Sequence, residues 1–256
     1  MPANLHPDFL TKPIAHRALH DVNDGRPENS RAAILAAIEK GYGIEIDLQL
    51  SRDGQAMVFH DEVLDRLTME TGLLNQRSSA ELAYIPLRGG SETIPSLTEV
   101  LALVAGRTPL LIEIKDQQGQ LGPTDGKLEA ATAAALAEYK GPVALMSFNP
   151  NSVITMARLC PDIPRGLVTS SFDPAEWQPI APATCERLRG IPDYDHAGAS
   201  FISHEAADLA RPRVAELRNE GAAILCWTIR SAKAEAKARE HAQNITFERY
   251  LAKIPA

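Results

Sequence analysis

The chain has 256 residues, of which 45% are hydrophobic and 23% charged, and a formal net charge of −7. That balance describes a globular protein with room for a large core. The acidic excess argues against a nucleic-acid partner, which would need basic stripes, and no stretch approaches the roughly 20 apolar residues of a membrane helix.

Cys160, Cys185 and Cys226 are odd in number and widely spaced. They make neither a disulfide framework nor a zinc-binding spacing, and they fit a reducing compartment. The start, 1–11, has no basic stretch leading into an apolar one, so no secretory signal is expected and the cytoplasm is the expected location.

Taken in chain order, the sequence alternates strand with helix. A strand at 13–17 leads into a loop at 20–27 rich in Asp, Asn, Gly and Pro, then a helix at 29–40. Ala33, Ile34, Ala37 and Ile38 recur there at helical spacing and Gly41 ends it. A strand at 43–51 turns through Arg52-Asp53-Gly54 into a short strand at 55–60, a hairpin signal.

The span 62–106 breaks the rhythm. It holds a short helix near 79–84, a Gly89-Gly90 loop, and a second helix opened by Ser96 with Glu99 three residues on, a capping-box pattern. It reads as a small insertion near a pocket mouth. Strands then follow at 109–115, 143–148, 165–169, 199–203 and 223–229. Helices are predicted at 127–139, 151–159, 176–188, 212–220 and 232–242, and a last strand begins at 244.

Eight strands alternating with helices predict parallel pairing and closure into a (β/α)8 TIM barrel, one domain over 1–256. The alternative is an open doubly wound sheet. It usually carries a Gly-rich turn after its first strand, where this chain has His16-Arg17-Ala18.

Strand alternation puts Glu45 and Asp47 on one face, and likewise Glu113 and Lys115, with Ile44, Ile46, Ile112 and Ile114 on the other. In a barrel the inward face near the strand C-termini is the active site. Three converging carboxylates need a neutralising cation, and hard oxygen ligands without thiolates suit Mg²⁺ or Ca²⁺. Taken singly, each glutamate reads better as a salt-bridged strand end.

His16 and His60 each end a strand beside a charged neighbour, Arg17 and Asp61. Imidazoles titrate near neutrality, so such a pair can act as general base and general acid. His204 ends a strand and is a further candidate for the pocket, while His6, His20, His196 and His241 read as loop or surface residues. Arg17 and Lys115 suit a phosphate, or simple pairing with the carboxylates. Trp227 either walls a substrate or belongs to the core.

In order along the chain, His16-Arg17, Pro27-Glu28-Asn29-Ser30, Glu45-Ile46-Asp47, His60-Asp61 and Glu113-Ile114-Lys115 resemble the glycerophosphodiester phosphodiesterases. Ser147-Phe148 and Trp227-Thr228 look like later landmarks of that family. The resemblance implies a TIM barrel with an insertion after the second strand and a divalent metal on Glu45, Asp47 and Glu113. It implies acid–base histidines at His16 and His60, Arg17 and Lys115 on the phosphate, and Glu28 and Asn29 supporting the site. The implied reaction is hydrolysis of a small-molecule glycerophosphodiester to glycerol 3-phosphate and an alcohol.

The chain departs from the family's usual pattern at three places. Ala18 stands where Gly follows His-Arg, Trp227-Thr228-Ile229-Arg230 where Trp-Thr-Val-Asn is usual, and Asn244-Ile245-Thr246-Phe247-Glu248 where Asp-Gly-Ile with a following Thr-Asp is common. Three other readings stay open: a related barrel phosphodiesterase for lysophospholipid or sphingolipid head groups, a catalytically silent binding barrel, and a sugar-phosphate isomerase or aldolase. The last would normally carry a Gly-rich phosphate turn after the seventh and eighth strands, where Arg230-Ser231 and Thr246-Phe247 stand instead.

Overall fold

The structure, a computed structural model, describes residues 3–255. Nine strands are formed: β1 (Ile14–Ala15), β2 (Gly43–Leu50), β3 (Ala56–Val58), β4 (Leu110–Ile114), β5 (Val143–Ser147), β6 (Arg165–Thr169), β7 (Phe201–Glu205), β8 (Ala223–Ile229) and β9 (Asn244–Phe247). All pair in parallel except β3, which folds back antiparallel on the end of β2. β1 pairs with both β2 and β9, which closes an eight-stranded barrel. This is the expected TIM barrel.

Seven helices ring the strands: Arg31–Lys40, Leu97–Val104, Lys127–Leu136, Pro150–Leu159, Pro182–Arg189, Pro212–Asn219 and Ala232–Ala238. Their ends follow the sequence. The Ser30 hydroxyl accepts from the Ala33 amide and Gly41 closes the helix in the left-handed conformation. Ser96 and Glu99 form the predicted capping box. The helix expected at 176–188 starts later, at Pro182, because turns occupy the run before it and proline suits a first helical position.

Leu97–Val104 packs between helices Arg31–Lys40 and Lys127–Leu136 as part of the ring. The irregular residues before it carry an apolar cluster of their own, including Phe59, Leu64, Leu74, Leu82 and Ile94.

The interior is layered. Ile14, Leu111, Ala144, Met146, Val168, Phe201 and Leu225 fill the barrel, and Phe9 from the short helix Asp8–Thr11 joins them. Gly166 makes room for this plug, since a Cβ there would collide with the Phe201 ring. With apolar side chains filling this interior, the polar inward positions nearer the strand C-termini can gather around a pocket.

Candidate active site

Register brings the carboxylates together. Asp47 is the direct neighbour of Glu113 across β2 and β4, and Glu45 lies two residues earlier on the same face. One oxygen from each lies within 4.8 Å of the others, and all three residues are buried. Lys115 places Nζ 2.8 Å from Asp47 Oδ1 and 2.7 Å from Glu113 Oε1. Asn29 Nδ2 donates to Asp47 Oδ2 at 3.0 Å, and the Arg17 amide donates to Glu45 Oε2 at 2.7 Å.

The charges are unevenly settled. Burial opposes ionisation of Asp47, yet Lys115, His60 and Arg17 hold its carboxyl far below the usual range. Burial together with the charges of Asp47 and Glu113 pushes Glu45 well above its ordinary value. Burial also disfavours the Lys115 ammonium, but Asp47 and Glu113 hold it above its ordinary value. With all three carboxylates ionised, the site would carry more negative charge than Lys115 and Arg17 offset. An all-oxygen donor set with that surplus fits a hard divalent cation.

Both predicted histidines line the same pocket, of about 160 Å³, with Arg17, Glu45, Glu113, Lys115, Phe148 and Trp227. His60 Nδ1 is 2.6 Å from Asp61 Oδ1, and Asp61 is gripped by Arg66, whose Nε and Nη2 donate at 2.7 and 2.8 Å. Arg66 also donates twice to Glu28, which accepts from Arg17 Nη1 at 2.9 Å. His16 Nδ1 is 2.7 Å from Glu248 Oε2. Burial opposes ionisation of Asp61 and Glu248, but hydrogen bonds from the histidines and arginines hold both well below the ordinary range. An ionised carboxylate only accepts, so each imidazole carries a proton on Nδ1, and its Nε2 is not engaged by that carboxylate.

The opposite side of the pocket is aromatic. Phe148 and Trp227 meet edge to face with ring centroids 5.5 Å apart. Trp177 packs against Phe148 in a tilted arrangement, ring centroids 4.9 Å apart. Trp227 is half-buried and its indole N–H donates to the Ser203 carbonyl at 3.0 Å. Of its two sequence readings, the pocket wall is the one its position supports.

His204 does not reach the pocket. Strand alternation turns it outward, fully buried, with Nδ1 2.8 Å from Thr169 Oγ1 and Nε2 3.3 Å from Asp208. His20 is half-buried rather than a plain surface residue, with Nε2 3.6 Å from Glu248. Glu248 is the residue that sequence reasoning missed. The pattern that could have revealed it is Asn244, Thr246, Glu248, alternate positions running off β9 toward the pocket.

The sequence model of the glycerophosphoryl diester phosphodiesterase family matches residues 16–246. The chain belongs to this family. Members of the family share its fold in solved structures. The chain superposes with a TM-score of 0.76 and 26% identity on the Oleispira antarctica phosphodiesterase in complex with the product sn-glycerol-3-phosphate, covering 94% of this chain and 93% of that one. It superposes at 0.66 and 25% identity on glycerophosphodiester phosphodiesterase from Agrobacterium tumefaciens, covering 93% and 96%. The glycerophosphodiester phosphodiesterase of Caldanaerobacter subterraneus is 33% identical over 165 residues, 60% of this chain and 65% of that one.

Membership answers the sequence-based expectations of fold and enzyme class together. This glycerophosphoryl diester phosphodiesterase family member is a phosphoric diester hydrolase. Its departure at Ala18 has a structural cost. Ala18 adopts φ +64°, the left-handed region where a Cβ is unfavourable and glycine is at ease.

Proposed function

We propose that the protein hydrolyses glycerophosphodiesters to glycerol 3-phosphate and an alcohol. The reaction depends on a divalent cation and uses His16 and His60 as its acid–base pair. The observation that carries this reading is the gathering of two carboxylate-pinned imidazoles, three carboxylates and two cations around one pocket of about 160 Å³. That volume suits a phosphate with small substituents, which favours a head-group diester over the lysophospholipid and sphingolipid alternatives. Both histidines being present favours an enzyme over a silent binding barrel.

Glu45, Asp47 and Glu113 would hold the cation, Mg²⁺ or Ca²⁺. Bound there, it supplies Lewis-acid polarisation of a phosphate oxygen and neutralises charge in the transition state. Arg17 and Lys115 add positive charge for the phosphate. One imidazole takes the proton of the nucleophile, either water or the neighbouring glycerol hydroxyl, the latter giving a cyclic phosphate that water then opens to glycerol 3-phosphate. The other returns a proton to the departing alkoxide, and Trp227 walls the substrate. Burial, with Arg17, lowers the His16 pKa, which keeps that ring neutral and able to accept. Among the described residues no helix is long and apolar enough to cross a membrane. The three cysteines are free, which suits a reducing, cytoplasmic setting.

The test is release of glycerol 3-phosphate from glycerophosphocholine with Mg²⁺ or Ca²⁺, repeated with a chelator and with His16→Ala and His60→Ala. Turnover should stop with the chelator, and each substitution should lower kcat by about 10²–10⁴-fold while the circular dichroism spectrum is kept. Undiminished turnover in a folded His60→Ala protein would refute the paired assignment.

A further inference from the structure

Four groups approach Glu248, His20 among them with Nε2 3.6 Å from Oε2. Glu248 Oε2 accepts from His16 Nδ1 at 2.7 Å, its Oε1 accepts from Arg230 Nε at 2.7 Å, and Arg249 Nε lies 3.5 Å from the same Oε1. The carboxylate is 8% exposed, while Arg230 is half exposed and also lines the pocket. Arg230 and Glu248 are two of the three places where the chain departs from the usual family sequence. They are partners of each other, so a cation just after β8 answers a carboxylate just after β9.

We propose that Glu248 is the positioning residue for His16, and that Arg230 fixes Glu248 in that role. The proposal rests on the reading of His16 as an acid–base group. A neutral imidazole has two tautomers and can turn about its χ2 bond, so its position on a strand end does not settle which nitrogen meets the substrate. An ionised carboxylate on Nδ1 settles both questions, because it accepts only from N–H. Glutamate brings flexibility of its own, with three rotatable side-chain bonds. Arg230 removes it by occupying the second oxygen in a charge-assisted hydrogen bond. His60 has the same arrangement built locally, since Asp61 is its neighbour in sequence and Arg66 holds Asp61. For His16 the partner lies 232 residues away. The last strand of the barrel thus sets the proton chemistry of the first.

The competing account is a rim ion pair tying β8 to the end of β9. It predicts lower stability with unchanged kcat. A misplacement of about 1 Å in a reacting group costs about 100-fold in rate, so the two accounts separate kinetically.

Glu248→Ala, Glu248→Gln and Arg230→Ala are made in the full chain, alone and in a His16→Ala background. kcat and KM are measured on glycerophosphocholine at saturating Mg²⁺. The protonated ring nitrogen of His16 is read by NMR of ¹⁵N-histidine-labelled protein. Glu248→Ala should lower kcat about 100-fold with KM close to the parent value, and should have no further effect once His16 is gone. Glu248→Gln should lose less, because its amide oxygen still accepts from Nδ1–H, and Arg230→Ala should lose least. The NMR signal should report Nδ1–H in the parent and a tautomer mixture in Glu248→Ala. Parental kcat in Glu248→Ala would overturn the proposal, as would an equal loss with and without His16, or Nε2–H in the parent. Should Glu248→Ala fail to fold, Glu248→Gln, Arg230→Ala and the parent spectrum decide it. If the parent turns over no diester, the proposed activity fails, and the tautomer measurement still judges Glu248.

Discussion

Asp47 and Glu113 are direct neighbours across a parallel strand pair, and both reach the one ammonium of Lys115, at 2.8 and 2.7 Å. Lys115 therefore has a structural task beside any contact with phosphate. Without it, two buried carboxylates lose their shared counter-charge, and breaking such a buried pair costs about 3–5 kcal/mol. Lys115→Met should therefore lower the metal-free unfolding free energy by roughly that amount. Added Mg²⁺ or Ca²⁺ should recover part of the loss. Urea titration with and without the cation measures both quantities. A metal-free variant as stable as the parent would remove Lys115 from this role.

The surplus negative charge makes a second prediction. Glu45 has its folded pKa raised by burial and by Asp47 and Glu113. A raised folded pKa contributes stability that is full below the unfolded value of 4.5 and is lost as pH rises through the folded value. A cation that binds only the folded state should raise the thermal midpoint in a concentration-dependent way. Calorimetry over a series of cation concentrations tests this. The shift should shrink sharply in Glu45→Gln, which removes both the charge and a ligand.

His16 gives the pH dependence its sign. Its folded pKa is lowered from 6.5, mainly by burial. A lowered folded pKa in a base favours the neutral form, so the stability it contributes is full above 6.5 and is lost as pH falls through the folded value. The acidic limb of kcat/KM, which reports the free enzyme, should accordingly lie below pH 6.5. A bound cation nearby pushes in the same direction. A limb above 6.5 would contradict the burial argument.

The barrel and most of its site were legible because both rest on local pattern. Period-two alternation put Glu45 with Asp47 and Glu113 with Lys115, and parallel register then joined the pairs. Asp61 was visible as the neighbour of His60. Glu248 was not, because alternation along β9 sets only the face it points to, and its partner His16 is 232 residues away. His204 shows the converse limit. Its place near a strand end suggested the pocket, but a shift of one residue reverses the face, and Ser203 and Glu205 occupy the alternate positions on β7. Ala18 and Phe247-Glu248 departed from a familiar sequence pattern, and the pattern itself could not say what replaced its geometry.

The barrel plug offers a prediction independent of chemistry. Gly166 sits on β6 beside Phe201 of β7 in register. A methyl group there would collide with the Phe201 ring. Phe201 is fully buried among Phe9, Ile14, Val168 and Leu225, so its ring cannot swing aside without displacing them. Overpacking of this kind costs about 1–3 kcal/mol. Gly166→Ala should lose roughly that much, although alanine usually stabilises a strand relative to glycine by about 0.5–1 kcal/mol. Gly166→Ala with Phe201→Leu should recover part of the loss, because the smaller side chain vacates the space the methyl enters. Urea midpoints of the two single variants and the double variant decide it: simple additivity of the three would mean that Gly166 and Phe201 do not share the space the register assigns them.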